Sequence, residues 1–231
     1  MISTSQIGQT FFADLQRQLL GETRFDPYSR LLYSTDASIY QMDPLGVVIP
    51  RQAEDVSILL QSAFENGIAV LPRGGGTSLA GQTVNQAVVL DFTKYMNNII
   101  EINEDEGWVR TQPGITIEEL NSHLKPHGLH FAPDPTTSNR ATIGGAIGNN
   151  SCGAHSILYG KTSEQVLEID ALLSDGTPCK FEPLSTSTTE QKLSLGTLEG
   201  EIYRGIDHIV DNLGKEISER YPRILRRVSG Y

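Results

Sequence analysis

Two glycine-rich stretches hold the residue types in this sequence best suited to binding chemistry. The first, Leu71 to Gln82, reads LPRGGGTSLAGQ, with Gly74, Gly75 and Gly76 in a row ahead of Thr77 and Ser78. Residues without a Cβ let successive main-chain N–H groups turn to one side and approach an anion, and the two hydroxyls add donors at the same end. A lone glycine triplet reads equally well as a flexible surface loop. Neither common nucleotide signature fits. Consecutive glycines are not G-x-G-x-x-G, and no Lys-Ser/Thr pair follows at Walker A spacing. The stretch YGKT, Tyr159 to Thr162, mimics the end of a Walker A loop, but His155 stands where that motif needs its first glycine.

The second stretch, Pro133 to Ile169, spreads Gly144, Gly145, Gly148, Gly153 and Gly160 among small residues and the adjacent amides Asn149 and Asn150. It is long and weakly periodic for a connection inside a compact domain, and such segments are usually functional or disordered. Ile143, Ile147, Ile157, Leu158 and Tyr159, interspersed with the glycines, argue against disorder. A backbone running close along an extended ligand accounts for both stretches together.

Other chemistry-bearing residues carry less. His123 and His127 are spaced i, i+4, with His130 nearby, but Lys125-Pro126 interrupts the helix and no carboxylate follows at a useful spacing. They read as helix-end residues, and no metal site is expected. Asp91 in VVLDF reads as a cap rather than a base, NEDEG as a solvated turn, and Trp108 as a packing residue. Cys152 and Cys179 form neither a disulfide framework nor a CxxC site and fit a reducing compartment. Cys152 reads as a small buried thiol.

The elements that position these stretches follow from periodicity. Phe11, Phe12, Leu15 and Leu19 mark one face of an N-terminal helix stopped by Gly21. GVVIP, a helix over AEDVSILLQSAFENG, and IAVLP make a strand–helix–strand unit that runs straight into the first glycine loop, which favours an α/β layer arrangement. AVVLDF is a third strand. Ile99–Ile102 and Trp108–Thr111 pair as a hairpin. Thr116 and Glu119 form a capping box. VLEIDALLSDG is a strand turning at Asp175-Gly176. Ile206, Ile209, Val210, Leu213 and Ile217 line one stripe of a late helix. EPLSTSTTEQKLSLG lacks a clear period and reads as a mobile insertion or linker. RYPRILRR reads as the solvated face of a helix.

At 231 residues the chain can bury roughly 70–75% of its unfolded surface, so it needs no staples. A formal net charge of −10 argues against nucleic acid as a partner. The N-terminus lacks a signal-peptide pattern and no apolar run is long enough to span a membrane, so a cytoplasmic location is expected.

The ordered pair PRGGGTSLAGQ and IGGAIGNNSCGAHSILYGKTSEQVLEIDALLSDG, led in by VVIPRQAEDVSILLQSAFENGIAVLPRGGGTS, resembles the FAD-binding domain of the vanillyl-alcohol oxidase / p-cresol methylhydroxylase (PCMH-type) family. Within it the chain is most similar to FAD-linked D-2-hydroxy-acid dehydrogenases, the D-lactate dehydrogenase and glycolate oxidase flavin-subunit branch. The resemblance covers roughly residues 25 to 180, and its two motifs in order make it specific. It implies an α+β fold of two α/β subdomains with FAD between them. On this chain that means a helical extension over 1–40, a first subdomain over 41–105 and a second over 106–231, incomplete at its C-terminus.

The resemblance also implies site residues. Pro72 and Arg73, with Gly74, Gly75, Gly76, Thr77 and Ser78, would hold the pyrophosphate through main-chain N–H groups, and Gly81 and Gln82 would continue that wall. Pro133, Asp134, Thr142, Ile143, Gly144 and Gly145 would line the flavin side. Gly148, Asn149, Ser151 and Gly153 would pass the ribityl and pyrophosphate. Tyr159 and Gly160 would form a turn, and Val166 would meet the adenine or ribose. Some relatives tether the flavin through a histidine in the first loop; Thr77 and Ser78 stand there, so non-covalent FAD is expected.

The intact enzyme would oxidise a small 2-hydroxy acid, D-lactate- or glycolate-like, by hydride transfer to flavin N5. Its acid–base and substrate residues would lie in a cap domain and C-terminal portion, so no residue here is assigned a catalytic role and the chain is expected to be a fragment. An iron–sulfur cluster or electron-transfer partner would belong to downstream segments, and peripheral membrane association stays open for the intact protein. The other class of reading is a non-catalytic nucleotide- or partner-binding module that kept the scaffold and lost FAD.

Overall fold

The computed structural model describes residues 4–224 and Gly230, with side chains from Thr10 onward. Its centre is a four-stranded sheet in the order β1-β2-β4-β3. β2 (Gly46–Ile49) and β4 (Val88–Asp91) are buried at every position, as strands covered on both faces must be. Side-chain alternation divides them. Val48, Val88 and Leu90 pack with α1 (Thr4–Gln18) and α3 (Ala53–Glu65), whereas Val47, Ile49 and Val89 pack with Tyr33, Leu71 and Tyr95. β3 (Val70–Arg73) and β2 both run parallel to β4, and β1 (Glu22–Arg24) closes the edge antiparallel to β2. The strand–helix–strand unit is therefore present, with β4 inserted between its two strands.

The α1 stripe Phe11, Phe12, Leu15 and Leu19 is buried as its spacing predicts. Gly21 has another role than helix stop. α1 ends at Gln18, and Gly21 lies under the end of β2, where a methyl group would collide with the Ile49 carbonyl. Asp55, buried in the first turn of α3, fixes this corner by accepting from the main-chain N–H of Leu20 (3.0 Å) and of Arg51 (2.8 Å). The short α2 (Pro27–Leu32), capped by Asp26 with Pro27 in its first turn, lay below what periodicity can reveal.

A second core starts with the hairpin β5 (Ile99–Asn103) and β6 (Trp108–Thr111), in which Ile102 pairs with Val109. α4 (Ile117–Leu124) has the expected capping box: Glu119 N–H donates to Thr116 Oγ1 and Thr116 N–H to Glu119 Oε2. Its Ile117, Leu120 and Leu124 pack against Ala141, Ile143 and Ala146 of the second glycine-rich stretch. That stretch is not an unstructured run. It contains α5 (Ile143–Asn149) and the single turn α6 (Ser156–Tyr159). Both are too short, and α5 too glycine-rich, to write a 3.6-residue period into the sequence.

β7 (Ile169–Leu172) and β8 (Pro178–Phe181) form a hairpin turned at Asp175-Gly176, and Ser57 of α3 donates to the Gly176 carbonyl (2.9 Å). The Ser/Thr-rich segment expected to be mobile instead forms α7 (Thr186–Leu193), with Ser185 accepting from Thr188 N–H as its cap. α7 has no buried residue, so it carries no apolar stripe to be read. A Lys192–Glu199 ion pair fastens it to α8 (Leu198–Arg220). The α8 stripe Ile206, Ile209, Val210, Leu213 and Ile217 is exposed along its length. α8 ends at Arg220, so Tyr221–Ile224 lie beyond the helix rather than on its face, and the rest of RYPRILRR falls outside the described residues. Among the described residues no helix is long and apolar enough to cross a membrane.

Candidate functional site

The two glycine-rich stretches meet. Gly74 lies against Thr142 and Gly75 against the Arg140 carbonyl, so closely that a methyl group on either would collide. Beside this junction is a cleft of about 220 Å³. One wall comprises Pro72, Gly74, Gly75, Gly76, Thr77, Ser78, Gln82 and Thr83. The other comprises Pro135, Thr137, Ala141, Thr142, Gly145, Ala146, Asn149, Ser151 and Cys152.

What the first wall offers follows from how β3 ends. The strand's last ladder bond takes the Arg73 carbonyl, which accepts from Phe92 N–H (3.3 Å). Past that point the chain leaves the sheet, and Gly76 turns through φ +64°, the left-handed region that glycine enters freely. Among the described residues, none of the main-chain N–H groups of Gly74, Gly75, Gly76, Thr77 or Ser78 has an acceptor. Five successive donors thus line a cleft in which no Asp or Glu takes part, although the chain carries a net charge of −10. A row of unpaired N–H groups in a carboxylate-free cleft has the chemistry to bind an anion.

The second wall is built oppositely. Thr142, almost fully buried, caps α5 by accepting from Gly145 N–H (3.2 Å). Ile143 N–H donates to the Ile115 carbonyl (2.9 Å), Gly144 N–H to the Pro113 carbonyl (2.9 Å) and Ala146 N–H to the Thr142 carbonyl (2.8 Å). The first turn of this helix therefore has its donors occupied by the protein. Ser151 N–H and Gly153 N–H are likewise taken, by the Ala146 carbonyl and Ser156 Oγ.

The remaining sequence-derived residues sit off the cleft wall. Arg73 points behind the first loop. Gly81, at φ +79°, lies against the Tyr40 ring. Ile143 is buried in the second core and Gly144 packs on Pro113. Pro133 is buried and Val166 half-buried. Asp134 and Gly153 are in contact, and Asp134 pairs with His155 (2.5 Å) while accepting from His155 N–H (3.1 Å). Burial alone would raise the Asp134 carboxyl, but the donors of His155 outweigh it and hold the group below its ordinary value. Tyr159 meets His130 edge to face, Gly160 turns at φ +81° against Glu164, and Gly148 lies within α5.

The cleft also uses Thr83, Pro135, Thr137, Ala141, Ala146 and Cys152, which the sequence reading did not assign to it. Pro135 and Thr137 continue the run PDPTTS, so a wall of small and hydroxyl residues was the available signal. Cys152 is half-buried on the cleft rather than a buried packing thiol, because α5 ends at Asn149 and the chain then turns along the opening. Cys179 is the buried one; burial, reinforced by Glu199, pushes its thiol up to about 11.

Asp91 acts as the cap expected of it, accepting from Thr93 N–H (2.8 Å), Thr93 Oγ1 (2.7 Å) and Tyr33 O–H (2.5 Å). Trp108 is half-exposed and donates to Glu106 (2.6 Å). The three histidines part company: His123 donates to the Glu119 carbonyl, His127 pairs with Glu104 and His130 meets Tyr159 edge to face. Among the described residues no group of three or more His, Cys, Asp or Glu side chains gathers in a way that could hold a metal ion.

A strand-led glycine loop of free donors, facing a capped helix across a carboxylate-free cleft, defines a domain built to hold an extended phosphate-bearing cofactor. Residues 44–182 match the family described as FAD binding domain, and the chain belongs to that family. Over 98% of its length it is 39% identical to D-2-hydroxyglutarate dehydrogenase of Escherichia coli (strain K12), of which it spans 23%. Over 71% of its length it is 36% identical to glycolate oxidase subunit GlcD of Bacillus subtilis, of which it spans 36%. Among solved structures, alkyldihydroxyacetonephosphate synthase superposes with a TM-score of 0.67 over 78% of this chain and 35% of that one, at 22% identity. 6-hydroxy-D-nicotine oxidase from Arthrobacter nicotinovorans gives 0.63 over 71% and 36%, at 21% identity, a likeness of fold. The fold is thus the α+β, PCMH-type arrangement that the motifs imply.

The residues present fit FAD: the free donors of the first loop suit a pyrophosphate, and the glycines and small side chains of both walls let a flat, extended ligand approach the backbone.

Proposed function

We propose that this chain holds FAD non-covalently in the cleft, its pyrophosphate against the main chain of Gly74–Ser78, as the flavin-holding part of an oxidoreductase for small 2-hydroxy acids. The observation that carries the reading is the row of five unpaired N–H donors, joined by the Thr77 and Ser78 hydroxyls, in a cleft without a carboxylate. Thr142 and Gly145 supply the facing wall and keep it rigid. The Gly145 N–H is already held by the Thr142 hydroxyl, so the part of this wall is shape and exclusion of water. Asn149 and Ser151 add an amide and a hydroxyl to the same wall, the amide donating to the Ser151 hydroxyl (3.3 Å).

FAD, when bound, supplies the two-electron acceptor for substrate oxidation, while the protein contributes orientation and electrostatics. The 2-hydroxy-acid class is supported by the names of the relatives, D-2-hydroxyglutarate dehydrogenase and a glycolate oxidase subunit among them. No side chain on the cleft wall is a general base of the usual kind, since neither His, Asp, Glu nor Lys lines it. We therefore assign this chain cofactor binding, and the acid–base step and the onward electron partner to other parts of the enzyme.

The test is purification followed by reconstitution. A chain that is yellow, or becomes so with FAD, and releases FAD on denaturation with no flavin left on the polypeptide, supports the reading. A folded chain that takes up no FAD overturns it in favour of a scaffold that has lost its cofactor. Flavin that stays attached after denaturation overturns the non-covalent assignment alone, and Cys152 is then the residue to replace.

A further inference from the structure

We propose that Arg73 is a positioning residue for the bound pyrophosphate: its guanidinium holds the donor row of the glycine loop in shape and places a positive charge at the loop's back. This rests on the reading that the FAD pyrophosphate lies on Gly74–Ser78.

Arg73 is the last residue of β3, and its side chain turns away from the cleft. Its Nη2 donates to the Thr35 carbonyl (2.9 Å), and its Nη1 to the carbonyls of Thr83 (3.1 Å) and Tyr33 (3.4 Å). The guanidinium carbon lies 5.3 Å from the Tyr33 ring centre. One side chain thus binds two segments, 33–35 and 83, that flank the loop. Those segments also hold each other and the loop. Thr83 Oγ1 donates to Asp36 (2.9 Å), and Ala37 N–H donates to the Gly76 carbonyl (3.0 Å), which fixes the peptide plane at the centre of the triplet. Nη2 sits so near Gly76 that a Cβ there would approach within 2.7 Å.

Charge adds a second role. Among the described residues no carboxylate lies within ion-pair distance of Arg73; its direct partners are carbonyl dipoles. Asp91 and Asp36 act on the guanidinium only through space, each being hydrogen-bonded to other, neutral donors: Asp91 to Tyr33 and Thr93, Asp36 to Ser38 and Thr83. Burial lowers the guanidinium's pKa, yet an arginine stays charged in proteins. On the other side of Gly76 lies the loop Gly74–Ser78, whose main-chain N–H groups have no acceptor among the described residues, so an anion held there would lie close to the guanidinium. A lysine cannot reproduce the fork that reaches three carbonyls, but it can keep the charge.

The test compares Arg73→Met and Arg73→Lys with the unaltered chain, by FAD titration across a range of salt and by thermal melting without FAD. At low salt Arg73→Met is expected to weaken FAD by about tenfold to a hundredfold, the worth of a charge a few ångströms behind a half-buried ligand. Its affinity should also fall less steeply with salt than that of the unaltered chain. Arg73→Lys is expected to recover the salt dependence and part of the affinity. Arg73→Met binding FAD like the unaltered chain overturns the inference, and so does Arg73→Lys binding no better than Arg73→Met when both melt cooperatively. If Arg73→Met does not fold, the salt dependence of Arg73→Lys decides: unchanged supports the charge role, flattened overturns it. An unaltered chain that takes up no FAD overturns the cofactor reading and this inference with it.

Discussion

The two walls of the cleft share a composition and differ in what their main chains still offer. Gly74 to Ser78 present five N–H groups with no protein acceptor, whereas the first turn of α5 donates to Ile115, Pro113 and Thr142. Glycine serves both walls for different reasons. In the first loop Gly76 turns through positive φ, while Gly74 and Gly75 allow contact with the opposite wall. In the second, Gly144 lets the helix settle on Pro113 and Gly153 lets the chain pass Asp134. One wall is a row of main-chain donors with no acceptor among the described residues. The other is a packed surface that holds the first in place.

The largest test of that contrast is the junction. In Gly75→Ala the new methyl meets a carbonyl oxygen of Arg140, a backbone atom that cannot swing aside. The expected cost is about 2–3 kcal/mol of stability, in the range for overpacked sites, together with loss of FAD retention. Gly145→Ala is its control, because there the methyl comes only to 3.2 Å from Thr142 Oγ1. Up to about 1 kcal/mol of helix propensity offsets that contact, so a near-neutral result is expected. Urea unfolding of both variants checks the pair. Equal losses would mean that the glycines of the two walls do the same work.

Much of this was legible in the residues, and the parts that were not have physical causes. The sheet strands GVVI and VVLD announce themselves because both faces are buried, and Thr116 to Glu119 because a capping box needs those side chains at that spacing. The first loop alone read equally as a donor row or a flexible loop, and only the second glycine-rich stretch tipped the reading to a ligand cradle. α5 was not, since IGGAIGN buries only Ile143 and Ala146 and its cap, Thr142, lies among other polar residues. α7 was hidden for the reverse reason: it is polar all round and is held by a cap and an ion pair. The burial of donors in the second wall could not be read at all. It depends on carbonyls of Pro113 and Ile115, some thirty residues away, and no local pattern records them.

Next in size is Thr142→Val, which keeps the volume and removes the hydroxyl. Gly145 N–H then loses its side-chain cap at the first turn of α5, at an expected cost of about 1 kcal/mol. Because the second wall acts by shape, FAD affinity should fall no more than stability requires. A larger loss of affinity with little change in the urea midpoint would show that the Thr142 hydroxyl contacts the cofactor directly, and would move it from the packed wall to the donor set.

The smallest effect concerns pH, and it separates the walls again. No Asp, Glu or His lines the first wall, whereas the second stretch is clasped by Asp134 and His155. With its carboxyl held below the ordinary value, Asp134 contributes stability that is fully present above the unfolded pKa, about 4, and is lost as pH falls through the lower folded value. The pair is exposed, 38% for Asp134 and 70% for His155, so screening keeps the contribution to roughly 0.5 kcal/mol or less. Glu22 adds a separate acid-sensitive contribution far from the cleft. Its carboxylate is held at about 2 by Lys94 and Tyr95, which burial opposes, with Arg24 adding to the same pull. Asp134→Asn should therefore flatten only part of the fall in urea midpoint between about pH 6 and pH 3, leaving the Glu22 share in place. If the whole acid slope survives the substitution, the clasp contributes nothing, and the second wall is held by its buried hydrogen bonds alone.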